Sequence, residues 1–166
     1  MTTSYSATSA GFRSLMAGFP TGVAVITTFG PDNEPRGMTL SSVCSVSVEP
    51  PTLLVCVRAG SPTLTAMLRC GEFTVNLLHH RARPAAELFA SGSPDRFDRV
   101  DWAMPPAIGG PHLVQDAHAM ADCRVSRQQQ VATHVVVFGD VMHVTLQPEE
   151  QPLLYGMRQY AAWPAG

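Results

Sequence analysis

The sequence predicts a mainly β protein in which six or seven strands, linked by short helices, close or nearly close into an antiparallel barrel. Three observations carry that expectation. Runs of strand length rich in Val, Ile, Thr and Phe recur along the chain, bounded by Gly, Pro and Asn turns. Helical periodicity is confined to short stretches between them. Strands do not alternate with helices, and no GxGxxG run opens a helix, so a Rossmann fold is excluded; "GGP" at 109–111 does not replace that fingerprint. With 166 residues the chain makes a single domain whose core needs no staples.

Each element can be justified in turn. Residues 1–10, small and polar, read as a flexible arm, and residues 11–166 as the folded domain. Phe12, Leu15, Met16 and Phe19 recur at helical spacing until Pro20 stops a short amphipathic helix. "TGVAVITTFG" is a β-branched strand, and the turn "GPDNEP" returns the chain as a second strand running through "GMTLSSVCSVS", Gly37–Ser47. "PPTLLVCVR" and "EFTVNLL" are further strands. Between them "SPTLTAMLR" opens a helix with Ser61 at the N-cap and Pro62 at the first helical position. "RARPAAELFA" is another helix, and the Gly/Pro-rich "SGSPDRFDRVDWAMPPAIGGP" is a long loop of the length that usually carries function. Two long strands follow, the second broken at Gly139 by a bulge or bend.

Composition narrows the function. Hydrophobic residues make up 45% and charged ones 14%, a low charged fraction that points to surface buried against a second subunit, most simply in a homo-oligomer. A net charge of -2 without charged tails offers nothing to a nucleic acid backbone. All eleven cations are Arg, so neither a P-loop nor a Schiff-base lysine is present. The four Cys lack CxxC spacing and no signal peptide precedes them, which predicts reduced thiols and a cytoplasmic protein. No apolar run is long enough to span a membrane.

Neither metal chemistry nor nucleophilic catalysis has its residue pattern in this chain. The six His form no HxxxH or HExxH pattern, so no metal is expected. No GxSxG elbow exists, and Cys123 could meet His134 only if the fold joined them; a buried, inert Cys123 is the expectation. Two features remain. Read at period two, Gly37–Ser47 has Met38, Leu40, Ser42, Cys44 and Val46 on one face and Thr39, Ser41, Val43, Ser45 and Ser47 on the other, a hydroxyl face with no charged residue. Ser61-Pro62-Thr63 places free amides and two hydroxyls at a helix start, which is either an anion site or simply a capped helix.

Taken together, "FPTGVAVITT", "GMTLSSVCSVSVEPPTLLVCV", "SPTL", "FTVNLL", "FDRVDW" and "HVVVFGDV", in that order from Phe12 to Trp163, resemble the flavin reductases that supply two-component monooxygenases. The resemblance implies a homodimeric FMN-binding split β-barrel that passes hydride from NADH to FMN or FAD and releases reduced flavin to a separate monooxygenase. A passive flavin carrier or sensor of the same fold is the alternative.

Carried across by position, Pro20 and Thr21 join Met38, Thr39, Ser41, Ser42, Cys44 and Ser45 as the edge holding the flavin ring and ribityl chain. Ser61 and Thr63 resemble its phosphate contacts, Arg96 and Phe97 the loop closing over it, and His134 the residue beside the nicotinamide. Relatives often read Gly-Asp-His where this chain has Ala132-Thr133-His134. Tyr160 and Trp163 could add a stacking layer or pack at the dimer interface. With no paired Arg evident beside the nicotinamide position, NADH is preferred over NADPH.

Overall fold

The computed structural model describes residues 7–147 and 150–163. Helix α1 spans Ser9–Ala17 and is capped by the Thr8 hydroxyl, which accepts from Gly11 N at 3.2 Å. It therefore begins inside the stretch expected to be an arm; residues 1–6 of that arm lie outside the described residues. The chain continues through β1 (Thr21–Gly22), β2 (Ala24–Phe29), β3 (Pro35–Leu40), β4 (Val43–Val48), β5 (Pro51–Arg58), α2 (Pro62–Cys70), β6 (Glu72–Leu78) and α3 (Arg83–Ser91). After a 3-10 turn at Arg96–Arg99 come β7 (Ala117–Val131), β8 (His134–Leu146), β9 (Leu153–Gly156) and β10 (Gln159–Ala162).

Seven strands form one sheet in the order β3-β2-β6-β7-β8-β5-β4, and β1, β9 and β10 form a second of three. All neighbours in the large sheet are antiparallel. β3 and β4 are its two edges, yet only Ser41 and Ser42 separate them in sequence. Three Cα–Cα steps reach at most about 11 Å, so the sheet must curl until its edges stand side by side. They do not pair across that seam, and the expected barrel is split there.

This geometry corrects the reading of Gly37–Ser47 as one strand. The side-chain alternation does not survive the Ser41–Ser42 crossing. Leu40 is buried and Met38 packs on the barrel core before the break, but Val43 packs on it after, while Cys44 and Val46 turn outward. A bulge between Ser45 and Ser47 distorts β4 further.

β2 divides the interior. Ala24 and Ile26 point into the barrel with Val55, Val57, Phe73, Val75 and Val137, and α2 plugs one end with Leu64 and Met67. Val25 points the other way, toward Ala86 and Phe89 of α3. Apolar residues on both faces explain the unbroken β-branched run of this strand. β8 is continuous through Gly139, contrary to the predicted break: the register shift falls opposite it, between Val125 and Arg127 of β7. Gly139 is required because the Phe73 ring would occupy the place of a Cβ.

The long loop after α3 also departs from expectation. Its second half is bound flat to the sheet by buried polar side chains. Thr27 Oγ1 donates to Pro111 O at 2.7 Å, and Asn76 Oδ1 accepts from Leu113 N at 2.9 Å. Thr74 Oγ1 accepts from Gly110 N at 2.9 Å and donates to Asp122 Oδ1 at 2.6 Å, and His112 Nε2 meets the same Asp122 oxygen at 2.7 Å. A Cβ on Gly110 would overlap the Thr27 backbone, so the approach admits only glycine. This half of the loop is an anchor.

Candidate functional site

Three cavities run one after another along β3 and its continuation at Ser41. The first, about 580 Å³, lies over the start of α2 and is walled by Met38, Thr39, Arg58, Ser61, Thr63 and Arg96 among others. Thr39 is shared with the second, about 530 Å³, which Ser41, Arg83, Glu87, Tyr155 and Tyr160 also line. Ser41, Tyr155 and Arg158 are shared with the third, about 460 Å³, between α1 and the β9–β10 hairpin. Each falls within the roughly 300–1,000 Å³ of small-molecule sites.

The first cavity has the character of an anion site. Ser61 stands at the N-cap of α2 but makes no capping bond; its hydroxyl points instead to Met38 Sδ at 3.5 Å. The first amides of α2 are thus left open to a ligand. Across the cavity Arg96 donates through Nη1 to Ser93 O at 2.7 Å, whereas its buried Nε has no partner. Burial, and then the nearby Arg36 guanidinium, hold Arg96 below its ordinary pKa. An arginine crowded by another cation and left with an unmet donor favours an incoming anion.

The second cavity has an aromatic wall. Tyr160 stacks at 60° on Tyr155 with centroids 5.1 Å apart, and the Arg83 guanidinium lies 5.5 Å over the Tyr160 ring. Arg83 is itself held by Glu87 at 2.8 Å. Burial, and then Glu87, raise the Tyr160 pKa, so the phenol stays neutral and able to donate.

Of the residues expected from sequence, Met38, Thr39, Ser61, Thr63 and Arg96 meet in the first cavity, Thr39, Ser41 and Tyr160 in the second, and Thr21 and Ser41 in the third. Thr39 has already committed its proton, donating to Ala86 O at 2.7 Å and so tying α3 to β3. Others stand elsewhere. Ser42 donates to Cys56 O at 2.8 Å, while Cys44 and Ser45 lie exposed on β4, across the seam, and line none of the three cavities. Pro20 packs where a Cβ on Gly156 would come within 3.0 Å of it. Phe97 is buried, edge-on to Phe89 at 5.0 Å, and supports Gly37 in the cavity floor from beneath rather than lining it.

His134 begins β8 directly after the two-residue turn Ala132-Thr133, with Ala132 in the left-handed region at φ 49°. Its imidazole is exposed, and its Nδ1 lies 3.0 Å from the Thr133 hydroxyl. Its cross-strand partner is Arg58, so both side chains leave the same face of the sheet; Arg58 lines the first cavity, whereas His134 lines none of the three. Cys123 pairs far along β8 with Val141, inside the barrel. Burial, and then Asp122, push its thiol up to about 12, so Cys123 and His134 form no nucleophilic pair.

Sequence reading missed Arg58, Arg83, Glu87, Ala90 and Arg158 as groove residues. Arg83, Glu87 and Ala90 fall at i, i+4 and i+7 of α3, a stripe that helical periodicity marks once the helix is placed against β3. Arg158 carried no such signal.

Comparison with known proteins agrees with this geometry. The family model described as the flavin reductase like domain matches residues 16–164. A flavin reductase (NADPH) from Lentzea aerocolonigenes is 49% identical over 94% of this chain and 91% of its own length. The reductase subunit of a flavin-dependent monooxygenase from Rhodococcus jostii RHA1 is 35% identical over 90% of this chain and 75% of its own. Among solved structures, the NADH:FAD oxidoreductase of Streptomyces globisporus C-1027, in complex with NAD and FAD fragments, superposes with a TM-score of 0.87 at 32% identity, covering 93% of this chain and 92% of that one.

Proposed function

This chain belongs to the flavin reductase like domain family, and on that premise we propose that it oxidises a nicotinamide coenzyme, reduces FMN or FAD, and releases the reduced flavin to a separate monooxygenase. The observation that carries the reading is the unsatisfied polar end of the groove, where the uncapped α2 N-terminus and the unpartnered Arg96 Nε line one cavity. A flavin phosphate satisfies both. When bound, flavin and nicotinamide supply the hydride chemistry themselves; the protein holds and aligns them.

Ser61, Thr63 and Arg96 hold the phosphate, and Met38, Thr39 and Ser41 border the ring and ribityl chain. His134, the cross-strand partner of Arg58, is assigned to the nicotinamide by resemblance to the family. Support for a monooxygenase partner comes from the Rhodococcus relative, whose name makes it a reductase subunit. Both coenzymes fit the reading, since the Lentzea relative is named for NADPH and the Streptomyces structure for NADH.

The active form is a homodimer. Val48 on β4, 87% exposed, and Val144 and Leu146 on β8, 60% and 67% exposed, leave apolar side chains uncovered in one protomer. It works in the cytoplasm, a reading supported by four free cysteines and by the absence, among the described residues, of a helix long and apolar enough to cross a membrane.

Purified protein mixed with NADH or NADPH tests the reading. Coenzyme absorbance should fall only after FMN or FAD is added, because a flavin lent to a partner leaves its site easily. A flat trace with every pairing leaves a passive flavin carrier.

A further inference from the structure

Five of the eleven arginines, Arg13, Arg58, Arg83, Arg96 and Arg158, line the three cavities, with Glu87 as the sole acidic residue beside them among the described residues. A protein of net charge -2 thus concentrates positive charge along one groove. Arg83 is neutralised by Glu87, and Arg58 and Arg96 belong to the end assigned to the flavin phosphate. Arg13 and Arg158 remain, at the far end, in the cavity between α1 and the β9–β10 hairpin.

These two come from opposite ends of the sequence and are brought together by a specific device. The turn between β9 and β10 consists of Met157 and Arg158, both in the left-handed region at φ 50° and 62°. Side chains other than Gly and Asn rarely accept that conformation, so the surrounding structure must impose it. It does: Met157 N donates to Ala17 O, the last residue of α1, at 2.7 Å. The bond fastens the hairpin tip to the helix that carries Arg13. Among the described residues, neither Arg13 nor Arg158 takes part in an ion pair or a side-chain hydrogen bond. Met16, Phe19 and Tyr155 give the same cavity an apolar and aromatic lining. Two unmatched guanidinium groups beside aromatic surface suit an adenosine phosphate, with the base on the rings and the phosphate between the cations.

Resting on the reductase reading above, we propose that this third cavity binds the adenosine phosphate end of the nicotinamide coenzyme, with Arg13 and Arg158 as its phosphate-holding and specificity-determining residues. The cavity joins the middle one through Ser41, Tyr155 and Arg158, so a dinucleotide seated there extends toward the flavin ring position. NADPH, with one more phosphate on its adenosine, depends on the pair more than NADH. FAD carries an adenosine phosphate too, and the experiment separates the two sources.

Arg13→Gln, Arg158→Gln and the double variant are assayed with FMN as acceptor, which has no adenosine and leaves the coenzyme as the sole occupant. In the double variant KM for NADPH should rise about tenfold and KM for NADH about threefold. FMN affinity and melting temperature should match wild type, because both arginines are exposed. Arg158→Lys should recover part of the NADPH loss, since it keeps the charge but not the fork. Calorimetric titration with 2′,5′-ADP gives a readout independent of turnover: it should bind wild type and fail with the double variant. Such binding in a protein that oxidises no coenzyme would sink the reductase reading and leave the cavity assignment standing. Unchanged KM for both coenzymes together with unchanged 2′,5′-ADP binding overturns the assignment. So does a loss of FAD affinity at constant coenzyme KM, which gives the cavity to the flavin's adenosine instead.

Discussion

The anchored half of the long loop and the α2 end of the groove use the same kinds of side chain to opposite ends. At the anchor, Thr27, Thr74, Asn76, His112 and Asp122 are all buried and all partnered, and they join loop backbone to sheet. Along the groove, Ser61 declines its capping role and Arg96 keeps a buried donor unmet. Among the described residues only one other buried side-chain N or O atom, His80 Nδ1, lacks a partner. Buried polar groups are satisfied as a rule, so satisfaction itself separates the two regions: the anchor is finished within the protein, and the groove is left open for the ligand proposed for it.

The largest expected effect breaks the anchor. Asp122→Ala strips His112 and Thr74 of their shared acceptor and should cost about 3 kcal/mol, lowering the melting temperature by roughly 9 °C for a chain of this size. FMN affinity of the protein that remains folded should be close to wild type. A fall in FMN affinity as large as the fall in stability would mean that loop and groove are one unit.

His134→Ala is the converse case. The ring is exposed, so stability should move by less than about 0.5 kcal/mol. Stopped-flow reduction of bound flavin by NADH should slow about fivefold through lost alignment. Normal reduction with a large drop in melting temperature would return His134 to a structural role.

Smaller still is a pH effect far from the groove. Burial, and then His79, hold the His118 pKa below 6.5, while Glu150 pulls the other way. The folded state therefore resists the proton that the unfolded chain accepts. Stability from this source is complete above pH 6.5 and is lost as pH falls below it toward the folded pKa. Melting temperatures between pH 7.5 and pH 5.5 should decline less steeply in His118→Gln than in wild type.

Much of this was readable in the chain. β5, β6 and α2 fall where their β-branched runs and Ser-Pro start place them, because local pattern and burial agree there. Gly37–Ser47 misled because a period-two pattern cannot register a strand that changes sheet edges at Ser41–Ser42; the seam is a property of barrel closure. The C-terminal hairpin went unread for a similar reason: Met157 and Arg158 are poor residues for their turn, and α1 imposes the conformation from the other end of the molecule. Ser61 and Thr63, legible from helix-start chemistry and the resemblance, and Arg96, legible from the resemblance alone, come together in the first cavity. Arg13 beside Arg158 is a purely tertiary pairing.

The central claim is that the open polar end of the groove holds a flavin phosphate, and the most direct test compares FMN with riboflavin by calorimetry. Wild type should bind FMN at least about tenfold more tightly, the value of one charge-assisted hydrogen bond. Ser61→Ala with Thr63→Val and Arg96→Gln should bring the two flavins close to equal affinity, with riboflavin binding little changed. Equal affinity in wild type, or an equal loss of both flavins in the variant, would contradict the account.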